Sequence, residues 1–450
     1  MKFKIIVLFL LLLFGNTPRI RPSQPKRLNV ILITVDSLRP DHLGCYGYKR
    51  NTSPNIDRLA NEGVVFTQAI AQGPATIPSL PSLFYSNYFR SGDWGKDLAD
   101  VKEVDISFSN LAEILRTNGY FTVFICAHSV IPEIKAFQKG WDNLIKFKNR
   151  KPNAKIVTQK AIEFIKRSGN QPFFVWIHYM DAHAPYIVPY KYKKLFIGDK
   201  FYLPPKRVSI VNNKEGRGGI YKPLVYKGIT DLSYYIAQYD AAIKYIDDQI
   251  WLIIKELFRF GLENNTLIII TADHGEAFGE HGFFLVHSYA LFDEFIKVPL
   301  IIKIPSVTLG GKIIDKQVQL VDIVPTILDI LKIDNNYKME GISLLPLIFT
   351  GEGYNREYAF STAGIMSCIR TSGWKLILYE DTQRGNSYFL FNLKKDKDEL
   401  VNLMGFRNNQ FEFLRQILDN CLKRVSFDFI VGNSLDRGVK ERLKSLGYVQ

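Results

Sequence analysis

A chain of 450 residues with 47 % hydrophobic and 23 % charged residues buries a sizeable core, which excludes a disordered or low-complexity protein. Its net charge of +14 is spread along the sequence and matches no RNP, zinc-finger or recognition-helix pattern, so nucleic acid is not an expected partner. Cys45, Cys126, Cys368 and Cys421 stand far apart with no CxxC pair, which argues against structural zinc and against a dense disulfide scaffold.

The chain begins with Lys2 and Lys4 followed by an apolar run, Ile5 to Phe14. That is the length of a signal peptide and short of a membrane span. Residues 1–27 are therefore expected to be a secretion signal or N-terminal anchor, which makes the protein extracytoplasmic; the alternative is an internal start near Leu28. Residues 28–35, LNVILITV, form a continuous apolar strand of the buried parallel kind and end on Asp36. A helix opens at Thr52-Ser53-Pro54 and closes at Gly63. After the Gly73-Pro74 turn, Thr76-Ile77-Pro78-Ser79 opens a short helix with Leu80, Leu83 and Phe84 on its apolar face. A hydroxyl at a helix start sits in the positive end of the helix dipole, which favours an alkoxide and holds an anionic group; plain N-capping is the competing role.

Helices over 110–119 and 154–169 lead into the strands YFTVFICA and PFFVWIHY, an alternation that builds a mostly parallel sheet covered on both faces. The second strand runs into His178, Asp181 and His183, more polar chemistry than packing needs. Residues 191–228 are basic and rich in aromatics and glycine, and read as a loop over the active face, either a substrate lid or a membrane-facing flap. A long helix over 232–260, with a stripe through Ile236, Tyr239, Ile243 and Ile246, feeds the strand Leu267 to Thr271. That strand delivers Asp273 and His274, with Gly275 allowing a sharp turn. A carboxylate beside an imidazole at a strand's carboxyl end suits one divalent cation, with Asp36 as a further ligand; the competing reading is an Asp that caps the next helix and a His packed on the sheet edge. His287, a strand over 298–304 and a helix over 321–331 follow. From Tyr354 the pattern turns to antiparallel alternation, then to the helix FEFLRQILDNCLKR and a last packed segment, ERLKSLGYVQ.

Seven of these segments, NVILITVDSLRPDHLGCYGY, the TIPS stretch, HYMDAHAPY, ITADHGEAFGEHG, LFDEFIKVPLII, VDIVPTILDIL and FNLKKDKDELVNL, resemble the sulfatase family of the alkaline phosphatase superfamily, in the family's order, from Asn29 to Leu403. The resemblance implies an alkaline-phosphatase-like α/β fold over 28–353, a small C-terminal antiparallel-sheet subdomain over 354–450, and hydrolysis of a sulfate or phosphate ester. By position, Asp36, Asp273 and His274 match the family's ligands for one divalent metal (Ca, Mg, Mn or Zn). His183 matches a substrate-contacting histidine and His287 falls near the leaving-group acid, with His178 and Asp181 behind them. Two departures matter. Where the family's Cys-x-Pro-Ser-Arg carries the cysteine oxidised to formylglycine, this chain has Thr76 and ends the motif in Leu80; and Ser37 stands where many members have a second metal-binding Asp. Thr is the nucleophile in other branches, among them nucleotide phosphodiesterases and phosphoglycerol or phosphoethanolamine transferases. The expected activity is thus a metal-dependent hydrolase with a Thr76 nucleophile, phosphoester or phosphonate favoured over sulfate ester. Its expected partner is an anionic small-molecule ester, a glycan or a lipid head group, with membrane association left open. A membrane-associated phospho-group transferase and a non-catalytic sulfatase-fold binding protein are the alternatives.

Overall fold

The computed structural model describes residues 27–91, 108–147, 152–201, 206–405 apart from positions 306, 308, 309, 335, 382 and 384, and 409–425 with a short pairing at 428–429. The expected N-terminal signal, but for residue 27, and the closing ERLKSLGYVQ segment lie outside the described residues.

The principal elements in chain order are β1 (Asn29–Val35), α1 (Pro54–Glu62), β2 (Val64–Ile70), α2 (Thr76–Tyr85), α3 (Leu111–Thr117), β3 (Phe121–Cys126), β4 (Asn143–Ile145), α4 (Ala154–Ile165), β5 (Phe173–Tyr179), α5 (Leu232–Arg259), β6 (Thr266–Ala272), the single turn α6 (Asp293–Ile296), β7 (Lys297–Lys303), β8 (Lys312–Ile314), β9 (Val318–Gln319) and α7 (Ile323–Leu331). The C-terminal part adds β10 (Tyr358–Ala363), β11 (Met366–Thr371), β12 (Trp374–Tyr379), β13 (Ser387–Asn392) and α8 (Asn409–Arg424).

Nine strands form the central sheet in the order β8-β2-β7-β6-β1-β5-β3-β4, with β9 also on β2. β1 pairs in parallel with both β5 and β6. β7 is antiparallel to β6 and to β2, so it alone is reversed and every other strand points the same way. Every residue of β1, β5 and β6 is buried, which is why these strands read as unbroken apolar runs rather than alternations. β2, VVFTQAI, escaped the sequence reading: its middle residues Thr67 and Gln68 are only half-buried and interrupt the apolar signal.

α2 is buried at all ten positions despite carrying Pro78 and Pro81. Its Phe84 lies in an aromatic cluster, 5.4 Å from Trp141 and 5.1 Å from Trp176 between ring centroids, and Phe124 stacks on Trp176 at 4.5 Å. Each such ring pair contributes about 0.5–1.5 kcal/mol beyond its buried area, so α2 is fixed against the sheet by its own side chains.

The C-terminal strands make an antiparallel sheet in the order β10-β11-β12-β13. One face packs on α8 through Leu414, Leu418 and Cys421; the other packs on Leu291, Phe295 and Ile70 of the main body. At that junction Arg370 and Lys375 reach Asp293 at 2.7 and 2.9 Å, and Lys375 reaches Glu399 at 2.8 Å. Burial pushes the Glu399 carboxyl up to about 7 against the pull of Lys375. Burial acts on Asp293 in the same direction, but Arg370 and Lys375 outweigh it and hold Asp293 well below the usual carboxylate range.

Candidate active site

Because the strands around β1 share one direction, their carboxyl ends open on one edge of the sheet, where open α/β sheets bind ligands. β1 delivers Asp36 there, and Asp36 N–H is pinned by the Tyr179 carbonyl at the end of β5 at 2.9 Å. β6 delivers Asp273 and His274. Gly275 follows, and a Cβ there would lie 2.0 Å from the Glu294 carbonyl oxygen, so the close approach of the two backbones requires glycine.

The three proposed ligands meet. Asp36, Asp273 and His274 each place one ligand atom within 4.8 Å of the others, and all three are fully buried. No helix starts after Asp273, so it is not a cap; its Oδ1 accepts from His274 N–H at 3.0 Å and from Ser37 N–H at 3.3 Å. His274 Nδ1 donates to the Gly275 carbonyl at 2.8 Å, which turns Nε2 toward the carboxylates, 3.7 Å from Asp36 Oδ1 and 3.5 Å from Asp273 Oδ2. Asp273 Oδ2 is buried without a hydrogen bond. Two desolvated carboxylates facing one imidazole leave negative charge uncompensated, and the hard-oxygen and nitrogen donor set fits one divalent cation. Burial raises the Asp273 carboxyl. On Asp36 the same burial is outweighed by His183, His178 and His274, and its pKa lies well below the usual range.

Thr76 is at the first position of α2, and Ala75 takes the N-cap with no side-chain cap bond, so the threonine is not spent on capping. Its hydroxyl donates to Asp36 Oδ2 at 3.3 Å and lies 3.2 Å from His274 Nε2. Leu80, in the place of the family's arginine, is buried in the hydrophobic core. Ser37, in the place of a second Asp, donates to Asp36 Oδ1 at 2.8 Å.

The histidines close the opposite side. His287 stacks near His274 with ring centroids 4.3 Å apart, and His183 stands edge-on to His287 at 4.9 Å. His183 and His287 keep 4 % and 9 % exposure while Asp36, Thr76, Asp273 and His274 keep none, so the two histidines are the more solvent-facing members of the cluster. His178 lies behind the ligands: its Nδ1 pairs with the Thr34 hydroxyl at 2.8 Å and its Nε2 is 3.8 Å from Asp36. Asp181 points away and accepts from Ala154 N–H at the start of α4.

Glu276 joins the cluster, which the sequence reading did not foresee. Its Oε1 is 3.3 Å from His287 Nδ1, and its Oε2 accepts from the Tyr186 hydroxyl at 3.2 Å. Full burial pushes this carboxyl up to about 7. It sits within the ADHGE run quoted for Asp273 and His274; only the fold shows that His287 and Tyr186 converge on it.

With this arrangement in hand, comparison with known proteins is decisive. The family model described as Sulfatase matches residues 28–333. The chain belongs to the sulfatase family. A second model, the C-terminal part of N-sulphoglucosamine sulphohydrolase, matches residues 279–427, across the C-terminal sheet. Among sulfatase relatives, the arylsulfatase of Clostridium perfringens is 26 % identical over 480 residues, covering 91 % of this chain and 97 % of its own. Human iduronate 2-sulfatase is 28 % identical over 349 residues, 64 % of this chain and 61 % of its own. Of solved structures, BT4656 in complex with its substrate D-glucosamine-2-N,6-O-disulfate superimposes with a TM-score of 0.73 at 20 % identity, over 89 % of this chain and 98 % of that one. The phosphonate monoester hydrolase of Agrobacterium radiobacter gives 0.69 at 22 % identity, over 89 % and 95 %. These two likenesses establish the sulfatase fold: a mostly parallel sheet between helices with a small antiparallel sheet at the C-terminal end. As a member of this family the protein is a sulfuric or phosphoric ester hydrolase.

Proposed function

We propose that this sulfatase-family hydrolase cleaves phosphate or phosphonate monoesters in preference to sulfate esters, with Thr76 as nucleophile. The observation that carries the reading is the placement of the Thr76 hydroxyl at the N-terminus of α2, within 3.3 Å of Asp36 Oδ2 and 3.2 Å of His274 Nε2, where the family's formylglycine would stand. Asp36, Asp273 and His274 would hold a divalent cation, which when bound would supply positive charge to make the Thr76 hydroxyl more acidic and to draw in an anionic ester.

Thr76 Oγ1 forms a bond to phosphorus, and its proton passes to an acceptor within reach of the hydroxyl. The bond from phosphorus to the leaving oxygen breaks in line, and His287 or His183 protonates that oxygen. The N-terminus of α2 offsets charge on the transferred group. Water then attacks phosphorus and gives a proton to the histidine, the bond from phosphorus to Thr76 Oγ1 breaks, and the acceptor hands its proton back to Thr76. A threonine sulfate has no geminal hydroxyl through which to expel sulfate by C–O cleavage, whereas a threonine phosphate is discharged by the same displacement that formed it. The sulfated-sugar substrate named for BT4656 and the phosphonate esters implied by the Agrobacterium enzyme's name bracket the class: an anionic monoester on a sugar or other alcohol.

The test is a panel of aryl sulfate, phosphate monoester, phosphodiester and phosphonate substrates with Ca, Mg, Mn and Zn. The phosphonate or phosphoester is expected to turn over fastest. Thr76→Ala is expected to abolish that turnover and Thr76→Ser to keep part of it, with a phosphoryl adduct recovered on the Thr76 peptide. Faster aryl sulfate turnover, or an active Thr76→Ala enzyme, overturns the assignment.

A further inference from the structure

The segment after His183 has two different sides. Its inner side is tied down: Tyr186 to Glu276, Tyr192 to Asp248 at 2.7 Å, and the Lys193 carbonyl to Gln238 at 2.8 Å, with Val188 and Phe196 buried. Its outer side exposes Tyr190 (74 %), Ile187 (70 %), Leu195 (47 %) and Ile197 (42 %), interleaved with exposed Lys191, Lys194 and Lys200. The face continues through Tyr226, whose ring lies 5.9 Å from Lys193 Nζ. Beside it a groove of about 840 Å³ is lined by Phe147, Pro152, Ile156, Pro185, Ile187 and Val188, with Lys146 among its walls.

The positive charge is less evenly distributed than the sequence suggests at first reading. Between Pro185 and Gly228 ten lysines and arginines stand against two acids, Asp199 and Glu215, so this stretch carries most of the net +14. Asp199 is already engaged by Arg50 at 3.2 Å. Among the described residues no helix is long and apolar enough to cross a membrane.

We propose that this face docks on an anionic phospholipid bilayer, with Ile187, Tyr190, Leu195 and Ile197 entering the interface and the surrounding lysines meeting lipid phosphates. Exposed aliphatic and aromatic side chains between cations are the signature of interfacial binding. A soluble polyanion such as a sulfated glycan would use the cations and leave Ile187, Leu195 and Ile197 with nothing to contact. Chain connectivity places the docked face beside the active site: Ile187 is next to Tyr186, which touches Glu276, and two residues separate Tyr186 from His183. Docking there would bring the lipid head groups close to His183. The docking rests on surface residues alone and is independent of the ester specificity proposed above.

Because the N-terminal apolar run can itself bind lipid, the experiment reads insertion locally in the full-length chain. Leu195→Cys is labelled with nitrobenzoxadiazole, the unsubstituted chain labelled alike controls for the native cysteines, and both are mixed with phosphatidylcholine vesicles with or without about 30 mol % phosphatidylglycerol. A blue shift and quenching by doxyl lipid are expected with phosphatidylglycerol alone. Adding Lys191→Glu and Lys194→Glu is expected to weaken the response roughly tenfold or more while leaving hydrolysis of a soluble ester unchanged. Solvent-like emission with anionic vesicles overturns the proposal, as does an equal response in the charge-reversed chain. Tight binding of dextran sulfate with the probe still in water reassigns the face to a glycan and overturns it as well.

Discussion

At the scale of single residues the site depends on charges that cannot stand alone. Asp36 and Asp273 are buried together, and a divalent cation on them would offset the cost of that burial. Asp273→Ala removes one ligand and half the negative charge, so bound divalent metal and activity are both expected to be lost while the circular dichroism of the fold is retained. Metal analysis of purified protein checks this, and full occupancy in the variant would place the cation elsewhere. The 3.3 Å contact of Glu276 with His287 Nδ1 predicts a positioning role for Glu276. Glu276→Gln keeps the shape but offers a weaker acceptor to Nδ1, and kcat is expected to fall roughly ten- to hundredfold with KM nearly unchanged. A KM effect alone would mean that Glu276 shapes the pocket instead. Asp36, Asp273 and His274 were legible in the sequence because each follows an unbroken apolar run, and such a run implies a strand end. Glu276 was not, since its partners Tyr186 and His287 come from separate segments and only the tertiary structure brings all three together.

At the scale of elements, the sheet was legible wherever burial on both faces left a continuous apolar string, as in β1, β5 and β6. It was not legible in β2, where Thr67 donates to Asp315 near the sheet's margin and the polar pair Thr67-Gln68 breaks the string. The reversal of β7 was equally hidden, because a buried antiparallel strand between two others is as apolar as a parallel one. The charged junction between α6, β11 and β12 offers a pH test. An unfolded glutamate titrates near 4.5, whereas burial holds Glu399 at about 7, so the folded chain binds this proton more tightly than the unfolded chain does. Its contribution to stability is full below about pH 4.5 and is lost as pH rises to about 7. Glu399→Gln cannot ionise and is expected to flatten the decline in urea midpoint across that window, a difference on the order of a few kcal/mol. An unchanged pH slope would show that Glu399 is ionised throughout.

At the scale of the whole molecule, β1, β2, β5 and β6 stand far apart along the chain, yet their carboxyl ends bring Asp36, the α2 segment, His183 and Asp273 to one edge of the sheet. The approach to that edge was less legible: residues 191–228 read as a loop over the active face, but how its first residues are seated depends on Asp248, which holds the Tyr192 hydroxyl, and on Gln238, which holds the Lys193 carbonyl, both on α5. The same dependence governs the join with the C-terminal sheet. Asp293 sits one turn before β7, on the main body, yet both of its cations come from β11 and β12, and Lys375 is wholly enclosed. Cutting the chain near Tyr354 therefore does more than shorten it. It strips a carboxylate of its counter-ions and bares Leu291 and Phe295 on the piece that holds Thr76 and Asp273. The C-terminal sheet behaves as a stopper seated by charge: the body that carries Asp293 has no finished surface of its own where the stopper fits.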